Sequence, residues 1–363
     1  MQVLVTGANG HVGNNLCRAL IERGYRVRAS IRSLDDPAKV APLGALPELD
    51  LVELDVRDAG AFEDALSGVE LLFHVAATYA LRTGSRERDE EMLRDSVEGV
   101  ENALRSAARQ HVRKVVLTSS IASLPMRVQG EAVVTEQDWR TDLRLPYYRA
   151  KTLAEQRAWV LARELGVDLA SVLPANIGGP GFYRRTPTTD LIEGILLGGM
   201  RMGAPNTNLA YVDIRDVVEG HILAAEKAVT GRFILCNDRA PEFRALTEIL
   251  HGIDPAIVSA PRLLPDAFVA ALPMLEAMNA KLFGIPRIMT AELIASTRGK
   301  RWCLSNARAR AELGWVPRIP LETSLADTLT TLRALRAAEA RRGPKANCIT
   351  QQEWVPAAAS SSR

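Results

Sequence analysis

Through the first half of the chain, short and continuously apolar runs alternate with longer stretches whose apolar residues recur every three or four positions. The runs at 3–5, 25–31, 49–54, 69–75, 114–118 and 167–173 read as strands, and the stretches at 11–23, 59–66, 87–110 and 147–165 read as helices. Parallel strands need long connections, and helices of this length supply them, so the order predicts a parallel sheet. Runs that are apolar throughout, rather than alternating, mark strands covered on both faces. The expected fold class is α/β, a doubly wound parallel sheet.

The rhythm changes after Pro174. Residues 176–182 are rich in glycine and proline and read as a turn-rich break. Helical patterning returns at 191–198 and 245–251 around the mixed segment 210–227 and a strand at 232–236. The stretch 261–297 is apolar and helix-like, punctuated by Pro265, Pro273 and Pro286. We expect one domain over 1–178 built on the parallel sheet, a smaller, mostly helical cap interwoven with the last strands over 179–335, and a flexible Ala/Arg/Ser tail over 336–363.

Three motifs carry chemistry. Thr6-Gly7-Ala8-Asn9-Gly10-His11-Val12-Gly13 follows the first strand and opens the first helix. Glycine at 7 permits a tight turn, at 10 lets backbone approach a pyrophosphate, and at 13 lets the helix pack on the strand. The phosphates then meet unpaired N–H groups at a helix N-terminus, so the loop points to a Rossmann-type dinucleotide site that includes Asn9, His11 and Val12. About 20 residues on, where an acid would bind a ribose 2′-hydroxyl, the chain reads Ala29-Ser30-Ile31-Arg32-Ser33. Arg32 instead suits a 2′-phosphate, which favours NADP(H); Asp35 and Asp36 keep NAD(H) open. The second motif is Tyr147-Tyr148-Arg149-Ala150-Lys151 after Pro146, where Tyr147 and Lys151 stand one helical turn apart. An ammonium beside a phenol stabilises the phenolate and readies the group for proton exchange. The third is Thr118-Ser119-Ser120 at the carboxyl end of the fifth strand, where hydroxyls face the ligand crevice of an open parallel sheet.

Composition narrows the classes. The chain has 363 residues, enough for two domains or one large domain with a cap, and 47% apolar with 24% charged residues is a globular balance. A net charge of +2 provides no field for gathering nucleic acid. The four cysteines show no pairing or metal-ligand spacing, the five histidines share none, and no run is long enough to span a membrane. A cytoplasmic protein with reduced thiols and no metal is expected, with a small molecule as its partner.

Together these motifs resemble the extended short-chain dehydrogenase/reductase family, closest to its dihydroflavonol-reductase-like branch with cinnamoyl-CoA reductases and relatives of 3β-hydroxysteroid dehydrogenase. The resemblance covers roughly 1–335, with further matches at Glu53-Leu54-Asp55-Val56, Leu72-Phe73-His74-Val75-Ala76-Ala77, Leu173-Pro174-Ala175-Asn176, Tyr211 to Asp216 and Glu312 to Pro317. It implies a catalytic Ser120, Tyr147 and Lys151. It also implies adenine contacts at Asp55 and Val56, a cofactor floor at Val75, Ala76 and Ala77, further contacts at Ser119 and Pro174, and a 2′-phosphate held by Arg32 and Lys39. The chain departs from the family's Asn-Val-x-Gly-Thr pattern at Asp95-Ser96-Val97-Glu98-Gly99, and Leu173 replaces the usual arginine. The expected activity is an NADPH-dependent reduction of a ketone or aldehyde on an apolar or aromatic molecule, or its reverse, by a monomer or homodimer. A nucleotide-sugar epimerase or dehydratase using bound NAD is the alternative, and Arg184, Arg185, Arg201 and Arg301 are its candidate diphosphate ligands. Against it, Phe268, Leu272, Met274, Leu275, Met278, Leu282, Phe283 and Met289 offer an apolar wall, although cap packing explains them as well. Asp213 and Asp216 are expected to cap a helix.

Overall fold

The computed structural model describes residues 1–44, 46, 49–77, 85–283 and 291–342, with side chains left out for 275–283 and 342. The strands are β1 (Gln2–Thr6), β2 (Arg26–Ile31), β3 (Leu49–Glu53), β4 (Leu71–His74), β5 (Lys114–Thr118), β6 (Arg127–Val128), β7 (Leu169–Pro174), β8 (Asn176–Gly178), β9 (Tyr211–Asp213), β10 (Gly231–Leu235) and β11 (Lys300–Arg301). The helices are α1 (His11–Glu22), α2 (Pro37–Gly44), α3 (Ala59–Ala65), α4 (Arg86–Arg109), α5 (Pro146–Leu165), α6 (Pro187–Leu196), α7 (Ile214–Glu226), α8 (Phe243–Ile253), α9 (Asp266–Phe283), α10 (Ala291–Thr297) and α11 (Leu321–Arg342).

Seven strands form one sheet in the order β10-β7-β5-β4-β1-β2-β3, every pair parallel. The apolar strand runs divide by alternate residues between its two faces. Val3 and Val5 face a core built with Leu16, Cys17 and Leu20 of α1 and Val217 and Ile222 of α7. Leu4, Leu72 and Val115 face the other, with Phe62 of α3, Leu104 of α4 and Leu161 of α5. This two-sided burial is why the strands read as continuous rather than alternating. The chain leaves β1 for β2 and β3 in one direction and β4 for β5, β7 and β10 in the other. The crevice at the carboxyl ends of β1 and β4 is therefore a switch point, where open α/β sheets bind ligands.

A third core joins α6, α8 and α11 through Ile192, Leu246, Leu250, Leu325 and Leu329. The two-stranded pair β8-β9 borders it, and β6 pairs with β11. Asp213 caps α7 by accepting from the Arg215 N–H at 2.8 Å, and Asp216 accepts from the backbone of Arg318 and Ile319. Helix α11 continues past residue 335 into the stretch expected as tail, where Glu339 pairs with Arg185; residues 343–363 lie outside the described ones. Of the expected apolar wall, Met274 is 72% exposed, while Phe268 and Leu272 are partly buried. The side chains of Leu275, Met278, Leu282, Phe283 and Met289 lie outside the described residues.

Candidate active site

The glycine loop follows β1 and turns directly into α1. Gly7 has φ +66°, and a Cβ there would stand 2.8 Å from the Ala76 Cα, so both the turn and the close approach of the segment after β4 require glycine. At Gly13 a Cβ would meet the Gly7 carbonyl oxygen at 2.3 Å. Gly10 differs: its φ is −81°, and a Cβ would meet only the Gly7 carbonyl oxygen, at 3.3 Å. Protein packing thus makes a weaker demand for glycine at 10 than at 7 or 13, and the surface above it is bare backbone. Gly10 is also the N-cap of α1, and no side chain caps the helix. An uncapped N-terminus behind bare backbone is the cradle that a pyrophosphate fits. Val12 packs on the core while the His11 ring N–H at Nε2 donates to the Pro180 carbonyl at 2.9 Å, and burial pulls that imidazole down to about 4. His11 therefore anchors the Gly179-Pro180-Gly181 turn to α1 as a neutral ring.

The floor beside the loop is held by Thr6. Its Oγ1 accepts from the N–H groups of Val75 and Ala76, both at 3.0 Å, which leaves its own proton for His74 Nδ1 at 3.1 Å. His74 is buried and kept neutral, pulled down to about 3 by desolvation and by the charge of Lys151. His74, Ala76, Ala77, Thr118, Ser119 and Lys151 surround one small cavity between α4, α5 and the strand ends.

Ser120 caps a single 3-10 turn, Ile121–Ser123, by accepting from the Ala122 N–H at 3.1 Å. One of its oxygen lone pairs is engaged, and among the described residues its hydroxyl donates no hydrogen bond. Helix α5 begins with Pro146 at its first turn, and this places Tyr147 and Lys151 on one face. Tyr147 is 7% exposed. The Lys151 ammonium donates to the Thr118 carbonyl at 2.9 Å, and burial pulls it down to about 8. The structure brings Ser120 and Lys151 to the end of β5 and sets Tyr147 one turn before Lys151.

The expected adenine-side residues are less uniform. Arg32, just past β2, is exposed and forms no ion pair among the described residues; its charge is felt at Arg184, Asp55 and Asp95. Lys39 is tied to Asp36 at 3.0 Å. Asp55 is gripped by the Arg57 side chain and N–H, which hold its carboxyl below the usual range. The Val56 carbonyl accepts from Asn102 at 3.0 Å. Pro174 ends β7, buried opposite Leu235, and Ser119 donates its hydroxyl proton to Glu155 at 2.7 Å.

Sequence reasoning missed the polar network behind this face. Glu155, one turn beyond Lys151 on α5, accepts from Ser119, from Ser123 at 2.8 Å and from Arg232 Nε at 2.9 Å. Arg232, on the edge strand β10, also reaches Ser123 and the carbonyls of Glu136 and Asp138, and it stacks 3.6 Å from the Trp139 ring centre. His221 of α7 donates from Nδ1 to the Val217 carbonyl, so its Nε2 accepts the Thr118 hydroxyl proton at 2.8 Å. The i+4 spacing of Glu155 from Lys151 was the one available signal.

The sequence profile of the NAD dependent epimerase/dehydratase family matches residues 3–235, which is most of the chain. The chain belongs to that family. A relative in Methylococcus capsulatus, sterol demethylase protein B, is 33% identical over 87% of this chain and 94% of its own. Cinnamoyl-CoA reductase CAD2 of Medicago truncatula is 29% identical over 83% of this chain and 96% of its own. Among solved structures, that of gox2253 is 31% identical with a TM-score of 0.77, covering 92% of this chain and 98% of that one. As a family member the protein is an NAD(P)-dependent oxidoreductase on a Rossmann-type fold, and a nicotinamide dinucleotide is its cofactor. Among the described residues no helix is long and apolar enough to cross a membrane.

Proposed function

We propose that the protein is an NADP(H)-dependent carbonyl reductase, or the reverse dehydrogenase, acting in the cytoplasm on an apolar, ring-containing small molecule. The observation that carries this reading is the end of β5. There Lys151 is fixed on the Thr118 carbonyl, Tyr147 stands one turn before it, and Ser120 accepts from the Ala122 N–H with its own proton left to donate. The bound cofactor supplies or takes the hydride. Ser120 donates a hydrogen bond to the carbonyl oxygen, Tyr147 delivers the proton to that oxygen, and the Lys151 charge favours the phenolate that remains. Gly7, Asn9, Gly10, His11, Val12 and Gly13 hold the pyrophosphate, and Val75, Ala76, Ala77, Ser119 and Pro174 border the nicotinamide half. Arg32 takes the 2′-phosphate with Arg184 as a second cation. Lys39, Asp55 and Val56 act at the adenosine end, with Lys39 leaving Asp36 to do so.

Relatives named as reductases support the direction of this reading. So does the state of two of the four candidate diphosphate ligands: Arg185 is held by Glu193 and Glu339, and Arg301 by Glu242. A cap that spends these guanidiniums on its own carboxylates is poorly supplied for a sugar nucleotide. Calorimetry on the NADP complex tests the class. Micromolar binding of an aryl ketone and none of uridine-diphosphate glucose is expected, and tight sugar-nucleotide binding overturns the proposal.

A further inference from the structure

Two guanidiniums lie buried within one turn of chain of each other's partners, and the fold treats them differently. Arg232 is 7% exposed at its side chain, and every nitrogen is engaged: Nε with Glu155, Nη1 with two carbonyls, Nη2 with Ser123 and Glu155. Arg140 is 4% exposed, and its side chain makes one hydrogen bond, from Nε to the Ala122 carbonyl at 2.6 Å. Its Nη2 is buried without a partner. The guanidinium lies 4.2 Å from the Tyr148 ring centre and 5.7 Å from that of Trp302; among the described residues no carboxylate forms an ion pair with it, and the Asp142 charge reaches it only through space. Asp142, two residues on, is engaged in a two-pronged bond with Arg144 at 2.8 and 2.6 Å. A buried charge with idle donors is costly, and stacking on two rings offsets only part of that cost.

Its position gives the idle donors a use. Ala122 is two residues past Ser120, and Tyr148 adjoins Tyr147. The Arg140 backbone N–H also bonds the Ser123 carbonyl at 2.8 Å, so the segment is tied to the Ser120 turn itself. We infer that Arg140 is the anchor for a carboxylate on the substrate, so that the preferred substrate is an aromatic keto acid or hydroxy acid. The inference rests on the reductase reading above. The planar pair of Nη groups matches the two oxygens of a carboxylate, while the flanking rings accept an apolar body. A phosphate, with a charge nearer two, asks for more than one cation.

The test uses 3-benzoylpropionate and 4-benzoylbutyrate, each against its methyl ester, with the intact NADP(H) complex. Turnover is followed by NADPH absorbance, and binding to the NADP complex by calorimetry. At least one acid should bind and turn over at least tenfold better than its ester. Arg140→Met should collapse that ratio toward one, and Arg140→Lys should keep part of it. Equal handling of acids and esters by the wild type overturns the anchor, as does a loss in Arg140→Met that falls equally on both. If acids bind in preference to esters and nothing is reduced, the anchor stands and the reductase reading falls. Should Arg140→Met not fold, the wild-type ratio and Arg140→Lys decide.

Discussion

Replacing Glu155 by Gln removes one charge and almost no volume, from a site where the consequence follows from the contacts. The carboxylate is 1% exposed at its side chain and takes four hydrogen bonds, two from Arg232 and one each from Ser119 and Ser123. Both serine hydroxyls can rotate and accept from an amide, but the guanidinium cannot accept, so in either oxygen's place the amide nitrogen of Gln confronts an Arg232 N–H. Arg232 is left as a buried cation without its counter-charge, and breaking such a pair from one side costs about 3–5 kcal/mol. An unfolding entropy of about 2.1 cal/mol/K per residue amounts to roughly 0.8 kcal/mol/K for a chain of this length. The midpoint should therefore fall by about 4–7 °C, read by calorimetry or by circular dichroism at the mean helix signal. Because Ser119 and Ser123 bracket Ser120, kcat should fall with it, while the Kd for NADP changes little. The double variant Glu155→Met with Arg232→Met, which removes both charges together, should melt above the single Gln variant. A Gln variant melting within 1 °C of wild type would refute the reasoning, since no buried charge would then be uncompensated.

Tyr147→Phe keeps the ring and its packing but removes the transferable proton. Turnover should drop about 10²–10⁴-fold with NADP binding intact, and wild-type turnover would sink the proposed role. Arg32→Ala should raise the Kd for NADP by about 1.5–3 kcal/mol more than that for NAD, measured by fluorescence titration; equal losses remove Arg32 from the 2′-phosphate. His74 and His221 are buried neutral, pulled to about 3 and about 4 by desolvation, while the unfolded chain takes up protons near 6.5. Their contribution is complete above pH 6.5 and is lost as pH falls toward 4, with a combined slope of up to about 2.7 kcal/mol per pH unit. Urea unfolding at pH 7, 6 and 5 should show it, and a flat stability down to pH 5 contradicts the neutral assignment.

The sheet was legible because each of its strands carries its own signal. Val3 to Val5, 114–118 and 167–173 are apolar on both sides, and the observed β1, β5 and β7 fall on them within two residues. The short pairs were not legible, since a two-residue strand such as β6 exists only through Lys300 and Arg301, some 170 positions away. Residues 176–182 read as a turn; β8 forms there because β9 lies alongside. The candidate site divides in the same way. Tyr147, Lys151 and the glycines declare themselves by local spacing, and their burial follows from the helix and turn they sit on. Nothing local marks Arg232 and Arg140 as buried, and Glu155 offers only its i+4 spacing from Lys151, because what buries them is supplied by distant chain.

That distant chain matters for how the end of β5 is held. From Thr118 to Ser123 the polar groups other than the Ser120 hydroxyl are held by three elements, α5, α7 and β10. The Thr118 carbonyl takes Lys151 of α5 and its hydroxyl goes to His221 of α7, Ser119 and Ser123 converge on Glu155, and Arg232 of β10 closes the cluster from the sheet edge. Lys114, at the other end of the same strand, is buried against the carbonyls of Lys227 and Val229, in the connection between α7 and β10. The α7–β10 unit, which follows the turn at 176–182 in sequence, thus braces β5 at both ends. Preorganised donors act only when their support is rigid, because a loosened serine spends binding energy on its own ordering. In the proposed mechanism the second half of the chain therefore sets the precision of Ser120 and Lys151. A change in α7 or β10 that preserves the sheet should consequently lower kcat with KM unaltered, and one in the cap should do the reverse.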